Sequence, residues 1–228
     1  MELYHVLNRG VEKRDLFLDK QDYARFVHNL YEFNDTERSV NSLRHFEMND
    51  LGGHSFRSDA TQRSGERIVD VHSWCLMKNH YHMVLSERVE GGISLFLQKV
   101  NAGYAKYFNE KYTRAGTLFQ GRTKKILIQR DAHFLFILHY IHLNPLDYLD
   151  GAKNWRRQNI LNTVQPLTYL DTYRWSSYLD YCGIQNFPSI LTTTLFKEVF
   201  KNYRKDIARY LGHMKTNSPS DQIHITLE

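Results

Sequence analysis

One stretch does most to limit what this chain can fold into: Trp74-Cys75-Leu76-Met77-Lys78-Asn79-His80-Tyr81-His82-Met83-Val84-Leu85. Two apolar runs flank a Lys-Asn pair. This is the pattern of two antiparallel strands, 68–77 and 80–85, joined by a two-residue turn in which Asn79 tolerates a left-handed backbone. Side chains two apart in a strand share a face. His80 and His82 therefore project side by side, at a spacing that suits two ligands of one metal ion, and Tyr81 points the other way. An ordinary sheet surface with two solvated histidines has the same spacing, so a use for the pair has to come from elsewhere in the chain.

The flanking sequence completes a recognisable order. Leu3-Tyr4-His5-Val6-Leu7 is β-prone and stops at the turn signal Asn8-Arg9-Gly10. Asp19 precedes a helical pattern running to about Phe33, with Tyr23, Phe26, Val27 and Leu30 on its apolar face. Residues 34–66 lose periodicity and read as a long flexible insertion. After Glu90-Gly91-Gly92, a second helix is expected over 94–112, with Ser94 as its cap. Lys124 to Gln129 alternates as a short strand, and Asp131 caps a third helix, 132–143, that ends at Asn144-Pro145. The order β-α-β-β-α-β is the ferredoxin-like split βαβ arrangement: an α+β fold with an antiparallel four-stranded sheet and helices on one face. The third helix is an addition to it, and residues 146–228 form a helical extension and tail. Within that extension a helical turn begins at Trp175-Ser176-Ser177-Tyr178, and one helix is expected over 195–211.

Composition narrows the partner. Hydrophobic residues make up 42% of the 228, enough for a real core, and 30 Lys+Arg against 25 Asp+Glu give a net charge of +5. With a pI near 9.1 and 14% aromatics, this is a mild bias toward polyanions and stacking surfaces. Two cysteines, Cys75 and Cys182, make neither a disulfide framework nor a zinc set and fit a reducing compartment. There is no signal-peptide pattern at the start and no apolar run near the ~20 residues a bilayer demands. A cytoplasmic protein without a membrane partner is expected.

A histidine pair on a sheet needs a third ligand. Tyr140 and Asn144 are four apart and share a helical face. An amide oxygen is a hard ligand acceptable to Mg²⁺ or Mn²⁺, and a tyrosine hydroxyl beside such an ion can act as a nucleophile toward a phosphodiester. Tyr31 with Asp35 and Tyr181 with Gln185 have the same spacing, and nothing local separates the three pairs.

Here the residues resemble a known family. Met77-Lys78-Asn79-His80-Tyr81-His82-Met83-Val84-Leu85 is similar to the His-hydrophobic-His motif of the single-tyrosine transposases of short insertion sequences, most closely their REP-associated tyrosine transposase branch. Further blocks agree in order: Tyr4-His5-Val6-Leu7-Asn8-Arg9-Gly10 with Leu16-Phe17-Leu18, Gly116-Thr117-Leu118-Phe119-Gln120-Gly121-Arg122, Tyr140-Ile141-His142-Leu143-Asn144-Pro145, and Trp175-Ser176-Ser177-Tyr178. The likeness spans roughly residues 3–183.

The resemblance implies that His80 and His82 bind the metal, that Tyr140 is the catalytic tyrosine and that Asn144 is the helix-borne third ligand. It implies cleavage of single-stranded DNA beside small hairpins, with a 5′-phosphotyrosine link and a freed 3′-OH. It is compatible with both a homodimer and a monomer. Lys78 stands where the family usually has Pro, and Tyr81 is bulkier than the usual middle residue of the triplet. Pro145 is expected to push Asn144 out of the α region, to a fraying helix end. DNA contact is expected at Arg9, Arg14, Lys99, Arg114, Arg122, Lys124 and Lys125, with Arg122 foremost and His142 a packing residue. The competing readings are a former transposase that binds hairpin DNA or RNA without cutting it, and a metal-water hydrolase with no covalent intermediate.

Overall fold

The computed structural model describes residues 1–37, 65–157, 160 and 162–216. It is a mixed α/β fold whose centre is an antiparallel sheet of β1 (Tyr4–Arg9), β2 (Val69–Met77), β3 (His80–Glu87) and β4 (Lys124–Leu127), in the spatial order β2-β3-β1-β4. Seven α-helices accompany it among the described residues: α1 (Lys20–Glu32), α2 (Gly92–Lys111), α3 (Asp131–Leu143), α4 (Val164–Thr172), α5 (Tyr178–Tyr181), α6 (Thr194–Val199) and α7 (Tyr203–Thr216). The period of two in β3 divides the molecule into two cores. Tyr81, Met83 and Leu85 face α1 and α2, in a cluster with Trp74, Phe26, Phe96 and Tyr104. Val84 faces the opposite side, with Leu3, Cys75 and Met77, against α3 and the C-terminal helices. Burying a Phe or Leu side chain contributes roughly 1.5–3 kcal/mol, so both faces of the sheet have reason to stay covered.

The start of α1 is as its sequence dictates. Asp19 Oδ1 accepts from the Asp22 backbone N–H, and the Asp22 carboxylate accepts in return from that of Asp19, a complete capping box. Asp22 is fully buried, and Lys111 Nζ, Tyr107 Oη and Tyr112 Oη all donate to it, which ties α1 to α2.

Other local expectations yield to tertiary contacts. Ser94 does not cap α2: the helix begins two residues earlier, after Gly91, whose φ of +68° favours glycine, while Ser94 Oγ accepts from Lys125 Nζ. Asp131 is the first residue of α3 and not its cap; Arg130 holds that position without a side-chain bond. The Lys78-Asn79 turn has no left-handed residue, because its carbonyls are bound from outside the hairpin. Leu16 and Phe17 N–H donate to the Lys78 carbonyl, and Gly10 N–H donates to that of Asn79. The helix expected over 195–211 is two helices, α6 and α7. Phe200 leaves the helical region, and Asn202 Oδ1 accepts from Lys205 N–H to start the next one.

Pro145 does not displace Asn144, which is helical at φ −50°, ψ −41° and fully buried. The chain runs straight into a 3-10 helix, Asn144–Tyr148, in whose first turn the missing proline N–H costs nothing. Of the expected insertion, 38–64 lie outside the described residues, but its ends are pinned together. Asn34 Oδ1 accepts from Ile68 and Val69 N–H, and Asp35 Oδ2 accepts from Gly65 N–H. The expected tail likewise lies outside the described residues.

Candidate active site

The antiparallel register places the site. β1 pairs with β3 so that Leu7 lies opposite His82 and Arg9 opposite His80. Alternation then sends His5, Leu7 and Arg9 to the same face as His80 and His82, the face that α3 covers. Tyr140 comes down on this face from α3: its ring centroid is 5.7 Å from that of His82 and 5.9 Å from that of His5, edge-on to both. Of the three tyrosine pairs open at the level of sequence, only this one meets the histidines. Tyr181 Oη donates to the His72 carbonyl inside the second core, and Tyr31 packs against the α1–α2 core. Tyr81 is turned the other way, as the alternation requires. Its hydroxyl donates to Asn101 Oδ1 at 3.0 Å, and burial pushes its pKa up to about 12.

The two β3 histidines differ in setting. Their ring centroids are 5.0 Å apart. His80 is half-buried and its Nδ1–H donates to Asn79 Oδ1 at 2.6 Å, which in the neutral ring leaves the lone pair on Nε2. His82 is fully buried, and its Nδ1 lies 3.0 Å from His5 Nε2. Burial first, then neighbouring His5, His80, Arg156 and Arg9, hold the His82 pKa well below its usual value, and burial brings that of His5 down to about 3. Both rings are therefore neutral at physiological pH, the form in which imidazole ligates metals. Buried His82 Nε2 has no protein hydrogen-bond partner. A buried polar atom without a partner is rare and costly, and a ligand-accepting nitrogen of this kind fits a metal ion.

Asn144 is spoken for in this arrangement. Its Nδ2 donates to the Tyr140 carbonyl at 2.7 Å and reaches the Ile141 carbonyl, the acceptor that Pro145 cannot serve. Its Oδ1 accepts from Arg156 Nη2 at 2.6 Å. Arg156 is the second residue, after His5, that the sequence did not single out. It lies over the rings of Tyr140 and Trp155 and pairs with Asp147. Burial opposes its charge, but Asp147 and then Tyr140 outweigh that and raise its pKa above the ordinary value. Among the described residues, no three His, Cys, Asp or Glu side chains gather as a ready metal cage. A metal ion held by His80 and His82 would need a third ligand from an amide, from water or from substrate.

The expected DNA-contacting cations divide between the faces. Arg9 and Lys124 share the histidine face, Lys124 lying opposite Leu7 on the neighbouring strand. Lys125 faces α2, and Lys99 Nζ donates to the backbone carbonyls of Asp35 and Glu37 on that same side. Arg114 braces its own loop through Asn109 Oδ1 and the Thr117 carbonyl. Arg14 packs against Gly10 with Nε buried, while Arg122 is exposed beside Gly121, whose φ is +67°. His142 is fully buried, between Tyr203 Oη at 2.8 Å and Ser177 Oγ at 2.7 Å, and packs as expected.

Among solved structures, the chain is similar to one of a REP-associated tyrosine transposase bound to a REP hairpin, at 11% identity and a TM-score of 0.49, over 84% of this chain and 85% of that one. No family model matches the sequence, and no curated protein matches it. No helix among the described residues is long and apolar enough to cross a membrane.

Proposed function

We propose that this chain is a metal-dependent single-stranded DNA endonuclease and strand transferase, a single-tyrosine transposase on a ferredoxin-like frame, with Tyr140 as nucleophile. The observation that carries the reading is the convergence of three residues from two distant elements: His80 and His82 on β3 and Tyr140 on α3, with the His82 and Tyr140 rings 5.7 Å apart. The residue blocks of the sequence resemblance supply the same three.

In the reaction, Tyr140 Oη attacks the phosphorus of a DNA phosphodiester. The P–Oη bond forms and the P–O3′ bond breaks. The phenolic proton is lost to solvent, and the leaving oxygen takes up one to end as a free 3′-OH. Reversal by a 3′-OH rejoins strands without an external energy source. Arg156, whose guanidinium lies 5.6 Å from the Tyr140 ring centroid, supplies a positive charge beside the nucleophile. Arg9 and Lys124, on the same face, suit the flanking phosphates. A Mg²⁺ or Mn²⁺ ion held by His80 and His82 would neutralise charge on the phosphate oxygens. Asn144 Oδ1, which accepts one hydrogen bond from Arg156, would have its second lone pair to join that set.

A second reading, a module that holds hairpin DNA or RNA without cutting it, draws on the engagement of both Asn144 side-chain atoms and on the burial of Tyr140. One experiment separates the two. Wild type and Tyr140→Phe are incubated with Mn²⁺ and single-stranded oligonucleotides carrying hairpins from the DNA flanking the gene. The first reading expects a covalent protein–DNA adduct with wild type alone. Adduct from Tyr140→Phe, or binding without nicking by wild type, overturns it.

A further inference from the structure

His5 sits at the centre of the site face with no role so far. It is fully buried, its Nε2 is 3.0 Å from His82 Nδ1, and its own Nδ1 has no partner. We propose that His5 is a positioning residue that accepts the Nδ1–H of His82 and so fixes His82 in the tautomer whose Nε2 lone pair is presented to a metal ion. This rests on the metal-dependent reading above.

Two neutral imidazoles in contact through one nitrogen each share a single hydrogen, so only two arrangements exist. If His5 donates, His82 carries its hydrogen on Nε2, and a buried N–H with no acceptor points into the site. If His82 donates, its Nε2 is a bare lone pair, and the unpartnered donor is His5 Nδ1–H instead. Neither His82 Nε2 nor His5 Nδ1 meets another protein group, so the two arrangements differ in what His82 presents to the site, and only the second presents a lone pair to a cation. A metal-ligating histidine usually donates its other N–H to an acceptor that fixes its tautomer and orientation. Here that acceptor is a second histidine. The Tyr140 ring, edge-on to both His5 and His82, packs against the same pair.

The test reads the tautomer and the metal separately. Long-range ¹H–¹⁵N correlation spectra of the metal-free wild type should show His82 protonated on Nδ1; protonation on Nε2 overturns the proposal. Mn²⁺ affinity, measured by titration without DNA, should fall roughly 10- to 100-fold in His5→Phe. It should be largely restored in His5→Gln, whose amide oxygen can take the Nδ1–H. Equal affinity in wild type and His5→Phe overturns the assignment. A wild type that binds no Mn²⁺ overturns the metal-dependent reading instead, while the His82 resonances still decide the role of His5.

Discussion

Arg156 Nη2 donates to Asn144 Oδ1 across 2.6 Å, and the same guanidinium pairs with Asp147 and lies over the Tyr140 ring. One side chain thus joins the end of α3 to the 3-10 turn after it. With 32% of that side chain exposed, the brace is partly screened. Arg156→Ala is expected to lower the unfolding free energy by about 1–3 kcal/mol, the range for charged hydrogen bonds. Arg156→Lys should recover only part of this, because an ammonium lacks the planar fork. Urea unfolding measures both, and an unchanged midpoint in Arg156→Ala would remove the brace from the argument.

What could be read from the sequence, and what could not, divides along the range of the interaction. His80, His82 and Tyr81 were placed on their faces by a period of two, and Tyr140 and Asn144 on one face by a spacing of four; both are local rules. His5 was invisible as a site residue because its meeting with His82, 77 positions away, depends on the β1–β3 register. Arg156 lies in an irregular stretch whose path is set by Trp155 and Asp147 and not by any periodicity. The left-handed turn expected at Asn79 and the cap expected at Ser94 failed for the same reason. Each was a sound local preference displaced by a partner from another element: Gly10 at the turn, Lys125 at the helix.

Alternation on β4 makes a sharp prediction about nucleic acid. Lys124 lies on the histidine face, whereas Lys125 reaches Ser94 on the opposite one. If single-stranded DNA crosses the site, Lys124→Gln should weaken binding several-fold and reduce the salt slope by roughly 0.7, one phosphate's share. Lys125→Gln should leave both unchanged. Fluorescence anisotropy over a salt series decides, and equal effects of the two substitutions would remove β4 from the interface.

The buried polar network behind α3 should be structural. Tyr203 Oη meets His142 Nδ1 at 2.8 Å, and His142 Nε2 meets Ser177 Oγ at 2.7 Å, so α7, α3 and the start of α5 are stitched together where no water reaches. Tyr203→Phe leaves the ring packing and removes only the hydroxyl, exposing a buried imidazole nitrogen to an apolar wall. The expected cost is about 1–3 kcal/mol, read as a lower urea midpoint with an unchanged denaturant slope. A change in slope would mean instead that α7 has come away.

The fold should be acid-sensitive through histidines remote from His80 and His82. Burial lowers the pKa of His139 to about 4, and it lowers that of His72, whose bond to the Thr192 carbonyl and proximity to Asp70 act the other way. The usual value of 6.5 applies to both once the chain unfolds. Between these limits the unfolded chain binds more protons than the folded one, so stability must rise with pH across the window. The contribution is complete above about pH 6.5 and fades as the pH falls, for His139 down to about 4, at up to about 1.4 kcal/mol per pH unit for each group. His139→Phe preserves a ring against Tyr203 and Tyr210 but cannot take a proton. Its unfolding free energy should therefore fall less steeply than that of wild type between pH 6.5 and 4. Parallel curves for the two proteins would show that His139 is not a buried neutral group.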